Sequence, residues 1–151
     1  MKLYLAHPLD MRKEIREIEL EIERTVGIEL ANPFYDNPES NRDDIKEMDK
    51  GTKTRWDKDL DYNDIVAKDL QHIYTCDGML AYIEKRPMIG TMFEIWHCYK
   101  VFGKPVYVVS PDSTMHPWVR HVVEKSGGKS FLSWEDFTDY MFKLLECEPH
   151  V

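Results

Sequence analysis

A glutamate sits four residues beyond a glycine in Ile89-Gly90-Thr91-Met92-Phe93-Glu94, at the head of a segment patterned as a helix. Glycine at such a position lets a ligand come close to the backbone. The pattern places Glu94 in the first turn of a helix opened by Thr91, where the helix dipole favours a carboxylate. Two uses of Glu94 fit this spacing. A carboxylate at the end of a strand can attack carbon as a nucleophile. Thr91-x-x-Glu94 is also a capping box, in which Glu94 only bonds back to the Thr91 amide. Other groups with chemical capacity are His7, which titrates near neutral pH, and Arg42, whose planar fork suits a phosphate. In Ser110-Pro111-Asp112-Ser113, the serines either hydrogen-bond a ligand or simply form a turn.

These residues need elements to hold them. Lys2 to Ala6 reads as a strand closed by His7-Pro8. Asp10 is placed to cap a helix through about Thr25, with Ile15, Ile18, Leu20 and Ile22 as apolar positions. The charged run Arg12 to Arg24 reads as ordinary helix surface with opposite signs at i,i+4 spacing. Ile28 to Ala31 is a second strand, followed by a polar stretch, 35–58, of a length that is functional or disordered in compact domains. A helix over 60–74, a buried strand from Gly78 to Ile83, and the Thr91–Phe102 helix come next. Gly103-Lys104-Pro105 stops that helix before the strand Val106 to Val109. A helix over 118–124, a weak strand over 129–132, and a helix capped by Ser133 and running to about Leu145 complete the chain.

Strands and helices thus alternate five times. The expected fold class is α/β: a doubly wound, flavodoxin- or Rossmann-like, five-stranded parallel sheet with helices on both faces and right-handed crossovers. Ligands bind such sheets at the carboxyl ends of strands where the winding reverses. The loops starting at His7, Glu84 and Ser110 would form that crevice. No internal repeat is visible, and the reading is one domain over residues 1–151.

Of the 151 residues, 42% are hydrophobic and 32% charged, a globular balance. No run approaches a membrane span, and the N-terminus lacks the apolar region of a signal peptide. A formal charge of -8 argues against a nucleic-acid polymer as partner, though not against a single nucleotide. Cys76, Cys98 and Cys147 are scattered without a CxxC pair, which fits reduced thiols in a cytoplasmic protein and calls for no metal or cofactor.

Gly90-Thr91-x-x-Glu94, followed after a helix by Gly103-Lys104-Pro105-Val106 and an apolar strand, resembles the nucleoside 2-deoxyribosyltransferase family. That family includes 2'-deoxynucleoside 5'-phosphate N-hydrolases and CMP glycosidases. Leu3-Tyr4-Leu5-Ala6 resembles its opening strand, Asp36-Asn37 its first long loop, and Asn63 to Ile73 the helix carrying an aspartate, here Asp69. The resemblance spans roughly residues 2 to 120. It implies a nucleoside or nucleotide substrate, with Glu94 as nucleophile, Tyr4 holding it, and Asp69 orienting the sugar or the nucleophile. From the residues alone, Tyr4 is also readable as a half-buried strand tyrosine and Asp69 as a solvated helix aspartate.

Glycosidic cleavage passes through an oxocarbenium-like state that a carboxylate can trap covalently. In the transferases an aspartate six residues before the nucleophile serves the departing base as acid; this chain has Met88. Glu84, Asp77 and His7 are the possible substitutes, and Met88 tilts the reading from base exchange toward hydrolysis. A 5'-phosphate, if present, would meet Ser110, Ser113, His7 or Arg42. Family members are homodimers or higher homo-oligomers with shared active sites, in which a neighbour contributes a residue following the fourth strand, near His116 and Trp118. Trp118 is equally readable as packing its own helix. Two other functions stay open: cleavage of another N-riboside such as NAD, and a non-catalytic nucleotide-binding or sensing module in which Glu94 is a cap.

Overall fold

The computed structural model describes residues 1–36, 58, 60–112 and 115–147. In chain order the elements are β1 (Lys2–Ala6), a 3-10 turn (Leu9–Met11), α1 (Arg12–Val26), β2 (Glu29–Ala31), α2 (Tyr62–Tyr74) and β3 (Gly78–Tyr82). There follow α3 (Ile89–Lys100), β4 (Val106–Val109), α4 (Pro117–Ser126), β5 (Ser130–Phe131) and α5 (Trp134–Glu146). The strands form one sheet in the order β2-β1-β3-β4-β5, with every neighbouring pair parallel. This is the doubly wound α/β fold that the alternation implied.

Side chains alternate across the sheet and feed two cores. Tyr4, Ala6, Met79, Ala81, Val106 and Val108 pack with Ile73, Ile95, Cys98 and Val122 from α2, α3 and α4. Leu3, Leu5, Leu30, Leu80 and Val109 pack with Ile15, Ile22, Phe137 and Met141 from α1 and α5. The chain moves outward from β1 to β2 through α1, then returns past β1 to β3 through α2. The winding therefore reverses between β1 and β3.

Two expected helix starts are wrong, and both errors have a local cause. Asp10 does not cap α1; it lies within the 3-10 turn, where the Met11 amide donates to the Pro8 carbonyl at 3.2 Å, and α1 begins at Arg12. Thr91 does not open α3, which begins at Ile89 with Met88 at its N-cap and no side-chain cap. The inward stripe of α1 also differs from expectation. Leu20 is 47% exposed, whereas Glu19 is fully buried between Ile15 and Ile22. Spacing at i, i+4 and i+7 from Ile15 selects Glu19, so the charged run is not all surface. The expected cap at Ser133 agrees, accepting from the Asp136 amide at 3.1 Å, and Asp61 caps α2, accepting from the Asp64 amide at 3.0 Å.

Gly103-Lys104-Pro105 does more than stop α3. Gly103 takes φ 64°, in the left-handed region open to glycine. The turn delivers Lys104 Nζ to the Tyr74, Cys76 and Ile73 carbonyls at 2.5, 2.7 and 3.4 Å. An ammonium there satisfies the last carbonyls of α2 and complements its dipole. Lys104→Met is expected to cost about 1–3 kcal/mol of stability, read as a lowered urea midpoint at unchanged slope.

Candidate active site

The loops after β1, β3 and β4 are tied together at the reversal of winding. Arg86 donates to Glu84 at 2.8 Å and reaches across to Asp10 at 3.0 Å. The Lys85 amide donates to Asp112 at 3.0 Å. Tyr82 Oη donates to Glu84 at 3.0 Å, and burial together with that carboxylate pushes its phenol up to about 12. The crevice at the carboxyl ends is thus braced by paired charges.

On the α2–α3 side of the sheet, Tyr4 is fully buried and its hydroxyl oxygen is withdrawn from solvent. Glu94 Oε2 is likewise buried. Glu94 stands in the second turn of α3, not the first, on one stripe with buried Thr91 and Cys98. Cys98 and Tyr4 belong to the same core, and α3 packs on β1. With α3 starting at Ile89, Thr91 lies inside the helix and no capping box forms. Asp69 lies half-buried on α2, one turn before His72. His72 was not anticipated. Its ring meets Tyr4 edge-on at 5.5 Å, and its buried Nδ1 makes no hydrogen bond among the described residues. Burial, aided by Lys2, lowers its pKa and keeps the imidazole neutral near pH 7. Its position on one helical stripe with Asp69 and Ile73 was a usable signal.

Between α3 and α4 lies a cavity of about 780 Å³, floored by Ile83, Met88, Met92, Ile95, Val119 and Val122. Met88 is buried, and its sulfur accepts from the Glu84 amide at 3.4 Å. Ser110 is buried at the edge of this cavity, and its amide donates to Phe131 at 2.9 Å. His116 also lines it and caps α4, with Nδ1 accepting from the Trp118 amide at 3.3 Å. Trp118 is 65% exposed and sits 5.4 Å from Trp96. Glu94 and Tyr4 do not line this cavity, so the site residues fall into two groups on either side of α3.

A third group forms at the ends of β1 and β2. His7 is buried, with Nε2 3.2 Å from Asn32 Oδ1 and Nδ1 3.1 Å from the Pro8 carbonyl. Both neighbouring oxygens are acceptors, of which a neutral imidazole can serve one, and burial lowers its pKa. In this arrangement His7 is turned toward Asn32 and Pro8. Asp36 uses Oδ2 to accept from the Asn32 amide at 3.0 Å and Oδ1 to accept from Arg16 at 2.9 Å. Asp77, a substitute acid by sequence, stands at the opposite, amino-terminal end of the strands, accepting from the Lys2 amide at 2.8 Å before β3 begins. It is too far along the strand to serve the crevice. Asn37, Arg42 and Ser113 lie outside the described residues.

No protein-family model matches the chain, and no curated protein sequence matches it. Among solved structures, a 2-deoxyribosyltransferase from Bacillus psychrosaccharolyticus is similar over 100% of both chains, at TM-score 0.66 and 23% identity. A 2-desoxiribosyltransferase from Leishmania mexicana is similar over 94% of this chain and 97% of its own, at TM-score 0.60 and 17% identity. A CMP N-glycosidase from Clostridium botulinum is similar over 93% of this chain and 98% of its own, at TM-score 0.57 and 15% identity. At these identities the likeness is one of fold, and it is the fold that the motif resemblance implied.

Gly90 lies within the first turn of α3, exposed, and a Cβ there would meet nothing within 4 Å among the described residues. The fold itself therefore makes no demand for glycine. Gly90→Ala is expected to raise stability by about 0.5–1 kcal/mol, measured by urea unfolding.

Proposed function

We propose that this chain cleaves or exchanges the N-glycosidic bond of a nucleoside or its 5'-monophosphate, with Glu94 as the nucleophile. The observation that carries the reading is Glu94 itself. One oxygen of its carboxyl is drawn into the protein from an interior helical turn, on the side of α3 that packs against the core holding Tyr4. Burying a carboxyl oxygen is costly, so a use for it is expected. The fold shared with deoxyribosyltransferases and a CMP N-glycosidase supports the same substrate class.

In this reading a Glu94 oxygen attacks the anomeric carbon as the carbon–nitrogen bond breaks, and the electron pair leaves with the base. Tyr4 holds the carboxylate by a hydrogen bond, and Asp69 orients the sugar. Water, or a second base, then displaces Glu94 from the same carbon. Two inversions give net retention and regenerate the carboxylate. Gly90 leaves room for the substrate beside the first turn of α3. Protonation of the departing base is the weak step: apolar Met88 fills the expected position, and Asp77 is remote. Glu84 is the carboxylate at the crevice beside Met88, and it is already engaged by Arg86. Hydrolysis of substrates with good leaving groups follows from that deficit.

Met88 also favours a second reading, in which the chain binds a nucleotide without turnover. One panel separates the two: free-base release from ribo- and deoxynucleosides and their 5'-monophosphates, by wild type and Glu94→Ala. Release by wild type that the variant lacks supports the glycosidase. Binding without release supports the module. Adding a second base separates transfer from hydrolysis.

Homo-oligomerisation belongs to the same proposal. Ile89, Phe93, Trp96 and Trp118 form an exposed apolar patch around the α3–α4 cavity, of the kind that packs against a partner. A second copy seated there would bring its own residues to His116 and Trp118. Trp118→Glu is expected to shift the protein to a smaller species in sedimentation velocity and to raise KM in the same panel.

A further inference from the structure

The cavity between α3 and α4 contains a buried hydroxyl that the fold does not use. Ser110 is 3% exposed and lines that cavity. The alternation that sends Val106 and Val108 toward α3 and α4 carries Ser110 to the same face, one step beyond the end of β4. Its amide continues the sheet by donating to Phe131 at 2.9 Å. Its hydroxyl makes no hydrogen bond among the described residues. Withdrawing a hydroxyl from water without a partner is costly. Among the described residues, Ser110 is also the one buried polar side chain of this lining.

The surroundings define what would meet that hydroxyl. Met88, Met92 and Met115, with Val119 and Val122 of α4, make the interior apolar. Thioether side chains adjust to ring outlines of different shape. At the rim Trp96 and Trp118 stand 5.4 Å apart and offer flat apolar surface. The charged lining residues balance, Glu84 and Asp112 against Lys85 and Arg86. Glu84 is paired with Arg86 at 2.8 Å, Asp112 accepts from the Lys85 amide, and His116 caps α4. An apolar interior with balanced charge at its edge favours an uncharged occupant. A volume of about 780 Å³ is ample for a small molecule of several rings.

We propose that the α3–α4 cavity is a second binding site, for an uncharged aromatic molecule of several rings bearing one hydrogen-bonding group, which Ser110 recognises. The site is separate from the Glu94–Tyr4 pair, because α3 lies between them. Met92 and Trp96 face the cavity, whereas Glu94 follows the stripe of Thr91 and Cys98. The inference stands apart from the glycosidase reading, and its test involves no turnover.

The probe is N-phenyl-1-naphthylamine, an uncharged dye that brightens on leaving water. It is displaced in turn by 2-naphthol and by naphthalene, which differ by one hydroxyl. Wild type is expected to brighten the dye, with quenching of the emission of Trp96 and Trp118. 2-Naphthol should displace it at a concentration roughly three- to tenfold below that of naphthalene, the ratio that one hydrogen bond supplies. In Ser110→Ala the two compounds should displace equally. That variant should keep or raise the Tm of wild type, because it loses only an unused hydroxyl. Met92→Trp fills the cavity from α3 and should abolish dye binding. Equal displacement by both compounds in wild type overturns the proposal. So does a lowered Tm in Ser110→Ala, since the hydroxyl would then be bonded within the fold. Dye retained by a folded Met92→Trp places it elsewhere on the surface and also overturns it. If Met92→Trp does not fold, the displacement ratios of wild type and Ser110→Ala decide alone. Dye binding that fades as protein concentration rises means that a second copy fills the space, and the proposal fails, as it does if folded wild type binds no dye. None of these readings uses base release, so the glycosidase reading stands or falls separately.

Discussion

Everything in the site depends on β1 being buried on both faces. It pairs with β2 on one side and β3 on the other, and the sheet reverses its winding beside it. Alternation along five residues then sorts the chemistry. Even positions send Tyr4 toward α2 and α3, where its ring meets His72. Odd positions lead through Leu3 and Leu5 to His7, which meets Asn32. A one-residue slip of this strand would exchange the two sets and put Tyr4 where Leu3 or Leu5 packs. Hydrophobic burial of Leu3, Leu5 and Ala6 therefore sets the register on which both polar groups rely.

The polar devices at the crevice share one design. A single arginine answers two carboxylates from different parts of the chain: Arg16 between Glu19 and Asp36, Arg86 between Glu84 and Asp10. Each spans elements far apart in sequence, so each fixes a loop to a helix or to another loop. Such pairs contribute little stability where exposed, as with Arg86, and much more to geometry. The buried one differs, because removing either partner strands a charge in a medium that solvates it poorly. The acidic balance of the whole chain is thus compatible with local sites in which the cations are already committed.

Much of the fold was legible from periodicity and punctuation. The apolar run Val106–Val109 matches β4 residue for residue, and the cap at Ser133 lies where its side chain can reach the next turn. The failures share a physical origin: local preference was outweighed by something distant or by an alternative local bond. The 3-10 turn absorbed Asp10, and Met88 entered the core and began α3 two residues before Thr91. Glu19 read as surface because its acceptability inside depends on Arg16 and Asn32, which donate to its two oxygens, and no window on α1 contains Asn32. At the site, the motif order pointed to Tyr4, Asp69 and Glu94, whereas His72 and the ties among Arg86, Asp10 and Asp112 required three-dimensional adjacency.

The lysine that closes α2 bears on what a motif can testify to. Gly103-Lys104-Pro105 is part of the signature by which the chain resembles its relatives, yet its side chain is spent on three backbone carbonyls far from any reacting atom. A descendant that had lost all chemistry would still need that turn in order to fold. The tripeptide is accordingly a marker of the fold, and a search that weights it heavily will gather proteins that share the turn whether or not they share the chemistry. Discrimination between them has to come from positions that folding leaves free to vary, and exposed Gly90, whose missing methyl group nothing around it requires, is one.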